Sequence, residues 1–157
     1  MVSMMKHSIS DRVGLKGLAA MLHDARFTRE SMEFDERARV FVLRCWTPAW
    51  NEATYRQILW CVHWRVVPWK QFMVTFSQVS SCHVQVEENV VYYEISTLKC
   101  SEDRKEIKIV THYAISIRLN VERLEVELEE TTKTRDDWAI HSLTCRLRSG
   151  PRSTENW

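Results

Sequence analysis

Hydrophobic and polar residues alternate singly along most of this chain, with a period of two running from about residue 25 to residue 130. Successive strand side chains point to opposite faces, so the pattern predicts strands that bury one side. The longest example is 57–67, Q-I-L-W-C-V-H-W-R-V-V, which ends at Pro68. A single strand here places Ile58, Trp60, Val62, Trp64 and Val66 on one face and Leu59, Cys61, His63 and Arg65 on the other. Wound as a helix, the same residues would scatter tryptophan around every side. The expectation is a long strand whose aromatic face covers a core or lines a cavity.

Only the N-terminal part has a helical period. Val13, Leu15, Leu18, Ala19 and Leu22 form one stripe over 11–22, with Ser10 as the expected cap. Gly14 and Gly17 each cost such a helix about 1 kcal/mol relative to alanine, so packing must hold it. Residues 26–34 and 39–46 read as a hairpin around Asp35-Glu36-Arg37-Ala38, followed by a loop containing Pro48. Further strands fall at 71–78 and 82–86. In the next, Val91, Tyr93 and Ile95 alternate with Tyr92, Glu94 and Ser96. Ile107 and Ile109 continue the meander, and two phased sets follow, Ile115 to Val121 and Leu124 to Leu128. The parity break between those sets predicts a bulge or tight bend around Glu122-Arg123.

These elements predict a mainly β protein: an antiparallel meander of eight or nine strands forming a sandwich or partly closed barrel, with one short N-terminal helix. Three glycines are few for so many turns, which points to charged tight turns instead. Without repeats or linkers, 1–157 reads as one domain. Its core spans about 11–130, with a docked segment over 131–148 and a flexible tail over 149–157.

Composition sharpens this picture. At 45% hydrophobic and 27% charged residues the chain is an ordinary folded sequence, not a disordered one. A net charge of +1 makes nucleic acid an unfavoured partner. The charge is divided, however: residues 1–70 carry eleven Lys/Arg against seven Asp/Glu, and residues 71–130 carry six against eleven. Such a dipolar chain suits self-association, as a homo-oligomer, or a charged protein partner. No stretch approaches the ~18 apolar residues of a membrane span, and the N-terminus lacks the apolar run of a signal peptide. Five cysteines, odd in number and without a C-x-x-C, predict free thiols and a cytoplasmic protein.

Candidate chemistry is sparse. Cys61 and His63 share a strand face and would supply two ligands of a zinc site, with Cys82, His83, Cys45 and His112 as candidates for the rest. Scattered singly along strands, such residues more commonly pack or face solvent, so no metal and no cofactor is assigned. Glu125, Glu127 and Glu129 line one face, which reads as a solvated face before it reads as a cation site. There is no G-x-S-x-G, phosphate loop or H-E-x-x-H, so no catalytic residues are assigned and a non-enzyme is favoured. Among the seven tryptophans, Trp46, Trp50 and Trp69 lie beside the prolines and loops, where aromatics serve recognition or plug the end of a barrel.

The junction Leu22-His23-Asp24-Ala25-Arg26-Phe27, followed by Phe34-Asp35 and Val40-Phe41-Val42-Leu43, resembles the opening of small bacterial β-rich proteins of unknown function that begin "HDA" or "HDS". Some of these are grouped with immunity proteins of polymorphic toxin systems. The resemblance covers about residues 18–130 and implies a β-rich fold with an unknown protein partner. It carries over no catalytic residue. On the residues themselves, Asp24 suits a helix-to-strand corner, oriented by His23.

Three functional readings follow. The first is a non-enzymatic, immunity-like binding protein that meets its partner through Trp46, Trp50, Trp69, His23 and Asp24. The second is a β-barrel for a small apolar ligand, lined by Trp60, Val62 and Trp64. The third is a metal-dependent enzyme.

Overall fold

The computed structural model describes residues 6–59, 62–112 and 115–135, with side chains placed for these except 55–65 and 135. Its elements are β1 (Lys6–Ile9), α1 (Arg12–Met21), β2 (Arg26–Phe27), β3 (Met32–Asp35), β4 (Val40–Pro48), β5 (Thr54–Leu59) and β6 (Val62–Val66). Then come β7 (Trp69–Phe76), β8 (Val79–Val86), β9 (Tyr93–Cys100), β10 (Glu106–Thr111), β11 (Ile115–Val121) and β12 (Val126–Arg135). Ten strands form one antiparallel sheet in the order β1-β12-β7-β4-β2-β9-β10-β11-β8, with β3 attached to β4. Its ends, β1 and β8, are not paired with each other, so the sheet is open. The mainly β architecture with one short N-terminal helix is as the alternation predicts. The described strands number twelve, more than the eight or nine expected, because β1 is too short to show a period, a 3-10 turn divides the strand expected over 26–34 into β2 and β3, and that expected over 57–67 is two strands.

Both halves of the sheet bury their inward residues in one cluster. Phe41, Leu43 and Cys45 of β4 and Val74 and Phe76 of β7 join Ile107, Ile109, Ile117 and Leu119 of β10 and β11. The sheet therefore folds over on itself. The two-residue β2 links the halves, since Arg26 pairs with both Trp46 and Glu94. Each large apolar side chain so buried contributes about 1.5–3 kcal/mol. The helix adds Leu15, Leu18 and Leu22 to the same core, while Val13, expected in its stripe, is exposed.

Asp11, not Ser10, caps α1: its Oδ1 accepts the Gly14 N–H at 2.7 Å. Gly14 is there for space, because a Cβ would meet Ile9 Cγ2 at 2.9 Å. The turns elsewhere do without glycine. Asp24, Arg39, Gln78 and Arg104 hold φ of 64°, 58°, 59° and 61°, the left-handed region that favours glycine, so charged and polar turns carry the strain. Three turns meet at one corner. Val79 N–H donates to Arg39 O, Glu122 N–H donates to Gln78 O, and Arg39 pairs with Glu122 at 2.6 Å. This is the bend expected at Glu122-Arg123.

The strand expected over 57–67 is instead a hairpin. Among the described residues β5 and β6 pair only with each other, with Leu59 opposite Val62 and Arg56 opposite Trp64. Period-two alternation is equally what two arms of a hairpin show, and the sequence over 59–62 holds no glycine, proline or asparagine. Trp60 and the side chains of Val62 and Trp64, the expected cavity lining, lie outside the described residues. Val91 is also misplaced by its alternation: it precedes β9 and is 86% exposed. The segments expected to dock or trail after residue 135 lie outside the described residues.

Candidate functional site

The inward phase of β4 is Phe41, Leu43, Cys45 and Thr47, which turns Trp46 to the outer face. Arg26 lies opposite Trp46 on one side and Glu94 on the other, so all three share that face. On β7 the inward phase is Phe72, Val74 and Phe76, so Trp69, in the other phase, also belongs outside. The Arg26 guanidinium lies over two rings, 4.8 Å from the Trp69 centroid and 4.6 Å from that of Tyr92. Its Nε donates to Glu94 Oε1 at 2.8 Å. Stacked and paired in this way, the planar fork is fixed.

Arg26, Phe27, Thr28, Trp46, Trp69, Val91 and Tyr92 line a cavity of about 310 Å³ around this stack. Through Val91 and Tyr92 it continues into a wider depression of about 550 Å³ along residues 89–94. Val90, Val91 and Tyr92 are exposed there in a row. Trp69 is 5% exposed, and its buried indole N–H meets no acceptor among the described residues. An unmatched buried donor costs about 1–3 kcal/mol.

A second cavity, about 320 Å³, opens on the inner face at the C-terminal end of α1. Met21 and His23 meet Thr47, Trp50, Phe72 and the Lys70–Glu130 pair there. Lys70 bridges Glu52 at 2.5 Å and Glu130 at 3.2 Å, and the hydrogen bond to Glu52 chiefly holds its amine above the ordinary lysine range. Trp50, in the single 3-10 turn after β4, is 48% exposed.

Just beyond α1, Asp24 gathers two imidazoles. His23 Nδ1 lies 3.1 Å and His112 Nε2 3.0 Å from the same Asp24 Oδ1, with the two rings edge to face at 5.6 Å. β9 positions them: Asp24 N–H donates to Ile95 O, and His112 N–H donates to Glu94 O. Burial works to raise the Asp24 carboxyl, but the hydrogen bonds with His112 and His23 outweigh it and hold it below the ordinary carboxylate range.

The five residues expected at a partner surface thus divide. Trp46 and Trp69 share the outer cleft, Trp50 and His23 share the inner one, and Asp24 joins His23 to His112. Sequence reasoning missed Arg26 and the meeting of His112 with Asp24. The outward phase of Tyr92 and Glu94 was legible, but only the pairing of β2 with β9 brings Arg26 onto it. Cys45, Cys82 and Cys100 are free thiols. No two of the residues weighed as zinc ligands, His83, Cys45, Cys82 and His112, meet in a three-residue cluster among the described residues, whereas His23, Asp24 and His112 do.

Fold and clefts together define a mainly β, open antiparallel protein with aromatic surface cavities. The chain belongs to the family described as "Protein of unknown function (DUF2948)", whose model matches residues 6–140. No curated protein and no solved structure matches it. No helix among the described residues is long and apolar enough to cross a membrane.

Proposed function

We propose that this protein is a non-enzymatic binding protein, and that its recognition site is the outer cleft around Arg26. The observation that carries this reading is the guanidinium lying over the Trp69 and Tyr92 rings beside an exposed Val90-Val91-Tyr92 run. Aromatic side chains and arginine dominate binding energy at interfaces, since they offer large contact area at low entropic cost. Glu94 engages the Nε side of Arg26, leaving the Nη edge to receive a carboxylate. The occupant is therefore a partner-protein segment that presents an apolar or aromatic side chain next to an acidic one. A protein suits the site better than a small molecule because the apolar surface continues past the 310 Å³ cavity along residues 89–94. Binding without chemistry is also what an immunity-like protein does, and we place this protein in that class.

A random-peptide display selection on the full chain tests this. Peptides pairing an aromatic or aliphatic residue with Asp or Glu should be enriched. They should lose at least ~30-fold in affinity, about 2 kcal/mol, on Tyr92→Ala or Arg26→Met. Enriched peptides that bind both variants as well as the parent, or that lack the acidic residue, would refute the assignment.

A further inference from the structure

His23, Asp24 and His112 have the composition of a metal site, and their ligand atoms all lie within 4.8 Å of one another. Two imidazoles and one carboxylate match the three-ligand sets that hold zinc and leave a further position open. A tetrahedral zinc with bonds of about 2.0–2.2 Å sets its ligand atoms roughly 3.3–3.5 Å apart. The two edges to Asp24 Oδ1, at 3.1 and 3.0 Å, need open by only a few tenths of an ångström. The edge between the imidazole nitrogens needs close by no more than about 1.5 Å from its 4.8 Å limit. All three side chains have solvent-facing surface, so these rotamer adjustments displace no core residue.

The scaffold under the cluster is firm. Consecutive residues of β9, Glu94 and Ile95, hold the backbones of His112 and Asp24 through bonds of 3.0 and 2.9 Å. Ligands 88 residues apart in the chain are thereby fixed in mutual reach. Both nitrogens converge on one carboxylate oxygen, Oδ1. A structural ion pair on an exposed surface contributes only ~0–1 kcal/mol, which gives little physical return for this convergence.

We propose that His23 through Nδ1, Asp24 through Oδ1 and His112 through Nε2 form a binding site for a divalent first-row transition metal, zinc in the first place. None of the three lines the Arg26 cleft, so zinc binding and peptide binding are read out separately.

The test uses the full chain stripped of metal with a chelator, then titrated with zinc chloride at pH 7.5 by calorimetry. The expected result is one equivalent bound. Asp24→Asn and His112→Ala should each weaken it at least 10–100-fold, the range seen even for loss of an outer-shell partner. His83→Ala, on the far edge strand, should leave binding unchanged. Long-range nitrogen-15 spectra of the zinc-loaded protein should show Nδ1 of His23 and Nε2 of His112 as the metal-bound nitrogens. Near-UV circular dichroism confirms that the variants are folded. Absence of zinc binding, or equal binding by Asp24→Asn and His112→Ala, overturns the proposal, as does coordination through the opposite ring nitrogens.

Discussion

Replacing Arg26 with methionine tests the outer cleft at its centre. Methionine keeps most of the length and apolar bulk but removes the guanidinium. Lost are an ion pair to Glu94 at 2.8 Å, with both side chains about a third exposed, and two stacked contacts, to Trp69 and Tyr92. The ion pair is worth about 1 kcal/mol at most, and each stacked face about 0.5–1 kcal/mol. Methionine regains part of this through sulfur–aromatic contact, ~0.3–1.5 kcal/mol. The net loss is therefore about 1 kcal/mol. With a urea slope of about 1–3 kcal/mol/M, the unfolding midpoint should fall by roughly 0.3–1 M. Arg26→Lys keeps the charge but loses the planar stack, and should fall about half as far. A double-mutant cycle of Arg26→Met with Tyr92→Leu should return a coupling of about 0.5–1 kcal/mol. A midpoint unchanged in Arg26→Met, or a coupling of zero, would falsify the stacked arrangement.

Two further outcomes are expected. Burial pushes the Cys45 thiol up to about 12, so at pH 8 only about one in ten thousand is thiolate. Iodoacetamide should leave Cys45 unmodified in the native protein while labelling the partly exposed Cys100, as read by peptide mass spectrometry. Equal labelling contradicts the core placement, and fewer than five thiols in the denatured, unreduced chain contradicts the expected reducing compartment. The hydrogen bond from Arg39 holds the Glu122 carboxyl below its ordinary range. Its stabilising effect is therefore present above about pH 4.3, the ordinary glutamate value, and is lost as pH falls through the lower folded value. Thermal melts of Glu122→Gln should differ from the parent at pH 7 and converge with it in acid. A constant difference across pH would remove the Arg39 pairing as its cause.

Much of the fold was legible because β4, β7, β10 and β11 each keep strict alternation over one buried face. Phe41-Leu43-Cys45 and Ile115-Ile117-Leu119 carry that phase without a break. The hairpin β5–β6 was not legible, since the sequence over 59–62 holds no residue that favours turning and its arms continue one alternation. Val91 failed for a related reason. Alternation reports phase, but Val91 lies outside the strand that would have buried it. Of the candidate residues, Trp46 and Trp69 drew attention by their positions beside Pro48 and Pro68, but they lie within β4 and β7 rather than in loops. Arg26 and His112 were not, because each acquires its partners only through long-range pairing: Arg26 with Glu94, and His112 with Asp24, 68 and 88 residues away.

The recognition claim is tested most directly by following the seven tryptophan indole N–H signals while a selected acidic-aromatic peptide is titrated into nitrogen-15-labelled protein. Trp69, whose indole N–H is buried without an acceptor among the described residues, and Trp46 should shift at the peptide's own dissociation constant, with the Trp50 signal unmoved. A peptide that binds while Trp46 and Trp69 stay still, or that moves Trp50 alone, would place recognition elsewhere on the molecule and contradict the account.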